Sequence, residues 1–136
     1  MEQEEKEKFI RLRISLGEGK LQVAKDLIEK RHYNDAISKS YYAMFYAARA
    51  LLLAKGEDPH SHKGVVTLFS KYFVKNGMIE KSYGKMLSVA KQAREDCDYE
   101  ERIRSTYEEA KDALNNAREF VRKCKKVVEQ LVGDQI

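Results

Sequence analysis

Apolar positions along this chain recur every three or four residues and nowhere in strict alternation, so every element the pattern predicts is a helix. The segment Ala36 to Ala54 stands out. Its run Tyr41-Tyr42-Ala43-Met44-Phe45-Tyr46-Ala47-Ala48 carries no polar break for two turns, so a helix there is apolar on nearly every side and needs neighbours on several faces. Before it, from about Glu4 to Lys30, Phe9, Leu12, Leu16, Val23, Leu27 and Ile28 keep the helical rhythm with Ala24 on the same side, which predicts one long amphipathic helix. Gly17 and Gly19 weaken that helix by up to about 1 kcal/mol each. Asn34 is placed to cap the central helix, Gly56 to end it in a left-handed conformation, and Asp58-Pro59 to turn the chain. Ser61 caps the next stripe, Val65, Val66, Leu68, Phe69, Tyr72 and Phe73, which breaks at Asn76-Gly77. Ile79, Tyr83, Met86, Leu87, Ala90 and Ala93 resume it as far as Cys97. The last helix, from about Glu101 to Val132, has the cleanest stripe, Ala110 through Leu131, and stops at Gly133. Short loops favour antiparallel neighbours. The expectation is an all-α fold, an antiparallel up-and-down bundle of four to five helices built on the central one, in a single domain spanning residues 1–136.

Composition sharpens this only in places. With 26 basic and 22 acidic residues the formal charge is +4, which permits phosphate binding without demanding it. Cys97 and Cys124 lie far apart on apolar helical positions, so two packed, reduced thiols are expected. The acidic start MEQEEKEK leads into no signal-type hydrophobic stretch, and no apolar run reaches membrane-spanning length. A cytoplasmic protein that does not engage a membrane is the expectation.

Several catalytic templates are missing: there is no glycine-rich phosphate loop, no HExxH, no nucleophile elbow and no cysteine-histidine metal spacing. No metal and no cofactor is therefore expected. His60 and His62 flank Ser61, but on a helix they diverge and no third ligand accompanies them, which favours two solvated imidazoles over a metal pair. The densest polar stretch is Arg94 to Arg102. Arg94 and Asp98 at i,i+4 suit a surface ion pair worth a few tenths of a kcal/mol. The same Arg94, at a helix end beside the start of the next helix, also suits a phosphate. Arg118, Arg122, Lys123, Lys125 and Lys126 occupy faces left over by the last apolar stripe, and read as solvated surface with phosphate binding as the lesser alternative. Eight tyrosines, four of them between Tyr33 and Tyr46, read as core and interface.

Three segments in order carry a resemblance: Ala36 to Phe45 (AISKSYYAMF), Ser61-His62-Lys63-Gly64, and Arg94-x-x-Cys97-Asp98-Tyr99. Together they resemble the HEPN domain, and within it the small stand-alone group with the pattern AxxxxYYAxF, SHxG, RxxADY, over about Asp35 to Tyr99. The resemblance implies a helical homodimer, often encoded beside a minimal nucleotidyltransferase as toxin and antitoxin. It also implies, for active relatives, metal-independent ribonuclease activity from an arginine followed four to six residues later by a histidine at the dimer cleft. Carried over, Arg94 would hold the scissile phosphate, with Asp98 and Tyr99 beside it and with Arg102, His62 and Lys63 as further ligand-binding side chains. Tyr99 stands where the histidine is expected. A tyrosine, ordinarily titrating near pH 10, passes protons poorly at neutrality, and losing such a group costs roughly 10²- to 10⁴-fold in rate. None of the three histidines follows Arg94, although His62 could approach it in space. In some family members a tyrosine near the motif is adenylylated by the partner, which makes Tyr99 and Tyr107 candidates.

The leading expectation is thus a toxin-type partner of a minimal nucleotidyltransferase that binds RNA or nucleotide phosphate near Arg94, with weak or absent catalysis. A true ribonuclease toxin and a non-catalytic interaction module are the alternatives.

Overall fold

The computed structural model describes residues 1–99 and 104–133. Five helices follow in order: α1 (Gln3–Glu29), α2 (Tyr33–Ala54), α3 (His62–Phe69), α4 (Lys81–Tyr99) and α5 (Tyr107–Val132). No strand occurs among the described residues, so the fold is all-α as the periodicity requires. A π-helical turn, Ser70–Val74, prolongs α3.

The core is organised on α2, fourteen of whose 22 residues are buried. Of the run from Tyr41 to Ala48, only Tyr42 and Tyr46 are half-exposed, because α1, α4 and α5 all pack on α2. Met44, Leu51 and Leu52 meet Phe69, Phe73, Ile79, Leu87, Phe120 and Val128 in one apolar cluster.

Helix α1 is continuous through Gly17 and Gly19, but only the end of the stripe the periodicity suggested, Ala24, Leu27 and Ile28, packs inward. Ile10, Ile14, Gly17 and Ala24 face α2. Phe9, Leu12, Leu16 and Val23 lie on the outside, each 39–50% exposed. Small residues decide this. A Cβ on Gly17 would stand 2.9 Å from the Ala43 carbonyl oxygen, so this side lets two backbones approach closely, and Leu and Phe go to the face where there is room.

Two helix starts also differ from expectation. Asn34 is not at the cap position: α2 begins at Tyr33 after His32, and the Asn34 side-chain oxygen accepts from the Ser105 backbone N–H at 3.1 Å, tying the entry of α2 to the segment before α5. α5 starts at Tyr107 instead of near Glu101, behind a capping box in which Thr106 accepts from the Glu109 N–H and Glu109 accepts from the Thr106 N–H. Other punctuation agrees with the sequence: Gly56 and Gly77 have φ of 86° and 79°, where only glycine sits without strain.

The loop from α2 to α3 is clamped to the bundle. Arg13 of α1 reaches Asp58 at 3.0 Å and Arg49 of α2 reaches it at 3.2 Å. Arg49 also donates to the Pro59 carbonyl at 3.1 Å. Burial works against the Asp58 carboxylate, but the two guanidiniums outweigh it and hold its pKa below the ordinary value. This clamp fixes where α3 begins.

Candidate functional site

Ser61 caps α3, its hydroxyl accepting from the Gly64 N–H at 2.9 Å. A Cβ on Gly64 would lie 2.7 Å from that hydroxyl oxygen, so the glycine makes room for the cap. Between them, His62 opens the helix and turns its ring onto α2. Its Nδ1 lies 2.7 Å from the Tyr41 hydroxyl, and its ring packs 4.6 Å from Phe45 and 5.5 and 5.8 Å from Tyr41 and Tyr42. His60 points elsewhere, accepting from Arg49 at 3.3 Å. The two imidazoles thus engage different partners.

Arg94 packs against the same two tyrosines. Its guanidinium carbon sits 5.3 Å from the centre of the Tyr41 ring and 5.7 Å from that of Tyr42. Asp98 approaches one terminal nitrogen at 3.5 Å, and Ser38 of α2 donates to the other Asp98 oxygen at 2.6 Å. The pair is not the surface ion pair that the i,i+4 spacing suited: Arg94 is 6% exposed, because two aromatic faces and a carboxylate draw the cation inward. It is nonetheless incompletely partnered. The Nε–H is buried and has no hydrogen-bond partner, a deficit that costs about 1–3 kcal/mol in a folded protein and calls for an explanation.

The electrostatics couple these groups. Burial first, then the nearby Arg94 and Lys91 cations, hold His62 below its ordinary pKa of 6.5, against the opposing pull of Glu95. Burial pushes the Tyr41 phenol well above its ordinary value, so it stays protonated despite Arg94. Lys91 is paired with Glu95 at 2.7 Å, and Lys39 reaches over the Tyr42 ring at 5.9 Å. Lys63 is exposed one residue beyond His62.

Of the residues singled out from the sequence, the fold gathers Arg94, Asp98 and His62 around Tyr41 and Tyr42, with Lys63 adjoining in sequence. Tyr99 is 76% exposed at the end of α4, without the packing that locks the other side chains, and Arg102 lies outside the described residues. Sequence reasoning missed Tyr41, Tyr42, Ser38 and Lys91 as members of the site. A signal existed for Ser38 and Tyr42, which stand four apart on α2, but tyrosines in an apolar run read as core.

Comparison with known proteins agrees with the three-segment pattern. The HEPN domain matches residues 10–127 of this chain. The chain belongs to the HEPN domain family. A Methanocaldococcus jannaschii protein named "Putative toxin" is 38% identical over 119 residues, 88% of each chain. A UPF0332 protein of Thermotoga maritima is 35% identical over 93% of this chain and 96% of its own length. A second M. jannaschii protein named "Putative toxin" is 34% identical over 83% of this HEPN chain and 77% of its own length. Among the described residues of this HEPN domain no helix is long and apolar enough to cross a membrane.

Proposed function

We propose that this HEPN domain is a toxin-type protein that binds RNA through phosphate at the Arg94 cluster. One observation carries the reading: a buried guanidinium whose Nε–H lacks a partner and whose carboxylate contact is long, at 3.5 Å. An anion is the ligand that such a group lacks. Lys39, over the Tyr42 ring, and Lys91, close to His62, are more accessible than Arg94 and give the approaching backbone a positive field. The relatives named as toxins support a role of the same kind; a minimal nucleotidyltransferase as antitoxin partner and a cytoplasmic location belong to the same proposal, the partner carried by the resemblance. Fluorescence anisotropy with a short single-stranded RNA tests it. Arg94→Ala is expected to weaken binding about 10- to 100-fold, the equivalent of one charge-assisted contact of about 1.5–3 kcal/mol, and affinity of the parent falls as salt rises. Equal affinity of Arg94→Ala and the parent would sink the site.

Homodimerisation is part of the same reading, with a changed argument for the contact. The tyrosine-rich run is covered within one subunit, and a row of exposed apolar side chains lies on α1 instead. Phe9, Leu12, Leu16 and Val23, with Gly19 between them, repeat at three and four residues, the spacing of a helix-helix seam. Residues 1–8 carry four Glu against two Lys, while 20–31 carry Lys20, Lys25, Lys30 and Arg31 against Asp26 and Glu29. A second copy of α1 laid antiparallel therefore places opposite charges together. Light scattering is expected to give a dimer for the parent and a monomer for Leu12→Glu/Leu16→Glu; a parent that stays monomeric at high concentration removes the dimer.

A further inference from the structure

We infer that the cleft between the end of α1, the start of α2 and the first half of α5 is a second ligand site, and that it takes a nucleotide unit: a phosphate among four cations and a base against Tyr107. The site shares no residue with the Arg94 cluster. Tyr33, its contribution from α2, stands eight residues before Tyr41, about 12 Å along the helix. It stands or falls apart from the Arg94 reading, and only RNA as the source of the nucleotide rests on that reading.

The backbone at Arg31 is the first sign. Helix α1 closes with the His32 N–H donating to the Leu27 carbonyl at 2.8 Å and the Arg31 N–H to the Ile28 carbonyl at 2.9 Å, a reversal that puts Arg31 at φ 64°. Such a left-handed position after a helix favours glycine, because a Cβ crowds the backbone there. The other left-handed positions among the described residues are Gly56, Gly77 and Gly133. Arg31 is the one residue with a side chain that accepts this strain, and strain held by a charged residue in a cleft is a mark of function.

The cleft itself is the second sign. It encloses about 420 Å³ and is lined by Lys25, Arg31, Lys111 and Arg118, with Glu29 as its one carboxylate. Among the described residues no ion pair holds any of these four cations, whereas Lys123 and Lys125 further along α5 are paired with Glu80 and Glu18. Cations gathered without counter-charges repel one another, and an arriving phosphate relieves that repulsion. The aromatic rings set the rest of the ligand. Tyr33 and Tyr107 meet edge to face with 6.1 Å between ring centres, and the Lys111 ammonium stands 5.9 Å from the Tyr107 ring. Tyr107 is 44% exposed, so Tyr33 braces a ring that is still open on part of its surface. An exposed ring among basic side chains is the combination on which a nucleic-acid base stacks.

The test follows nitrogen-15 amide spectra of the full chain as adenosine monophosphate is added. Shifts are expected at residues 25–33 and 107–118. No shifts there overturn the inference, and shifts confined to the surroundings of Arg94 do so while leaving the Arg94 reading standing. Arg31→Gly separates binding from folding, because glycine suits the left-handed backbone: its melting temperature is expected to equal or exceed that of the parent, while affinity for the nucleotide falls about tenfold or more. Undiminished affinity in this variant overturns the site, and a lower melting temperature makes Arg31 a structural turn residue and overturns it as well. Tyr107→Leu keeps an apolar contact for Tyr33 and removes the stacking ring, so its affinity for the nucleotide is expected to fall to that for inorganic phosphate. Equal affinity of the parent for phosphate and nucleotide overturns the base contact. A short single-stranded RNA distinguishes the sources: Arg31→Gly weakening RNA along with the mononucleotide assigns the site to a strand, and weakening of the mononucleotide alone assigns it to a free nucleotide.

Discussion

Helix α2 is flanked in two opposite ways. Towards α1 it presents Ala43 and Ala47, and the two backbones come so close that Gly17 has no space for a Cβ. Towards α3 and α4 it presents Tyr41, Tyr42 and Ser38, and what packs there is an arginine, an aspartate and a histidine. The first contact is dry, small and self-sufficient; its dispersion contacts saturate within one subunit. The second is a buried polar network with one donor unsatisfied. Arrangements of this kind are weak evidence for stability, since removing two charges from water is costly and their pairing repays it only with complete hydrogen bonding. The comparison teaches that the α1 flank holds the fold, while the α4 flank is tuned for something besides holding it.

Substitutions at two glycines of α1 give the largest expected contrast. Gly17→Leu must force apart two backbones, with the Ala43 carbonyl only 2.9 Å from the new Cβ, and is expected to cost about 3 kcal/mol or to prevent folding. At Gly19 nothing lies within 4 Å of a Cβ, so Gly19→Ala is expected to gain about 0.5–1 kcal/mol from helix propensity. Urea midpoints measured on both variants check this. Similar shifts in the two would mean that the close approach of α1 and α2 is not the element that holds the bundle.

The α4 flank should behave in the reverse sense. Arg94→Met keeps the volume over the tyrosine rings and deletes the charge and its unsatisfied N–H, leaving Asp98 with Ser38. Its stability is expected to stay within about 1 kcal/mol of the parent or to rise, while RNA affinity falls. A loss of several kcal/mol would make Arg94 a structural staple and return the flank to the role of the first.

How far each flank could be read from the sequence follows from the same difference. Helix number, the break at Gly77 and the burial of α2 were legible because apolar spacing and glycine punctuation are local. The face of α1 was not. Periodicity offered one stripe, Phe9 to Ile28 with Ala24 beside it, and only the alanines of α2 decide that Ile10, Ile14, Gly17 and Ala24 pack inward. The capping box at Thr106 and Glu109 was present in the sequence as a local signal that the continuous apolar spacing overshadowed. At the site, Arg94 and Asp98 were visible as an i,i+4 pair, but the inward turn of the guanidinium depends on Tyr41 and Tyr42, more than fifty residues earlier. The contact of His62 with Tyr41 bridges 21 positions across a loop, so no spacing rule reports it; the pattern SHxG marked the residue without saying what it touches.

The smallest expected effect separates the flanks by pH. Burial and the neighbouring cations hold His62 below its ordinary pKa of 6.5 in the folded chain, so the unfolded chain takes up that proton more readily. Its contribution to stability is therefore complete above the ordinary histidine value, declines as pH falls through about 6.5, and is fully lost below the folded value. Asp58 and Glu95, whose pKa values are held below ordinary values of 3.8 and 4.5, add their losses only in a more acidic range, so the two effects are separable. Melting temperatures followed from pH 8 to pH 5 are expected to drop for the parent and to drop less for His62→Gln. The α1 flank offers no group of this kind, and Gly19→Ala should shift the whole curve without changing its shape. If His62→Gln leaves the slope between pH 7 and pH 5.5 untouched, the imidazole is not held neutral by its burial and the Arg94 and Lys91 cations.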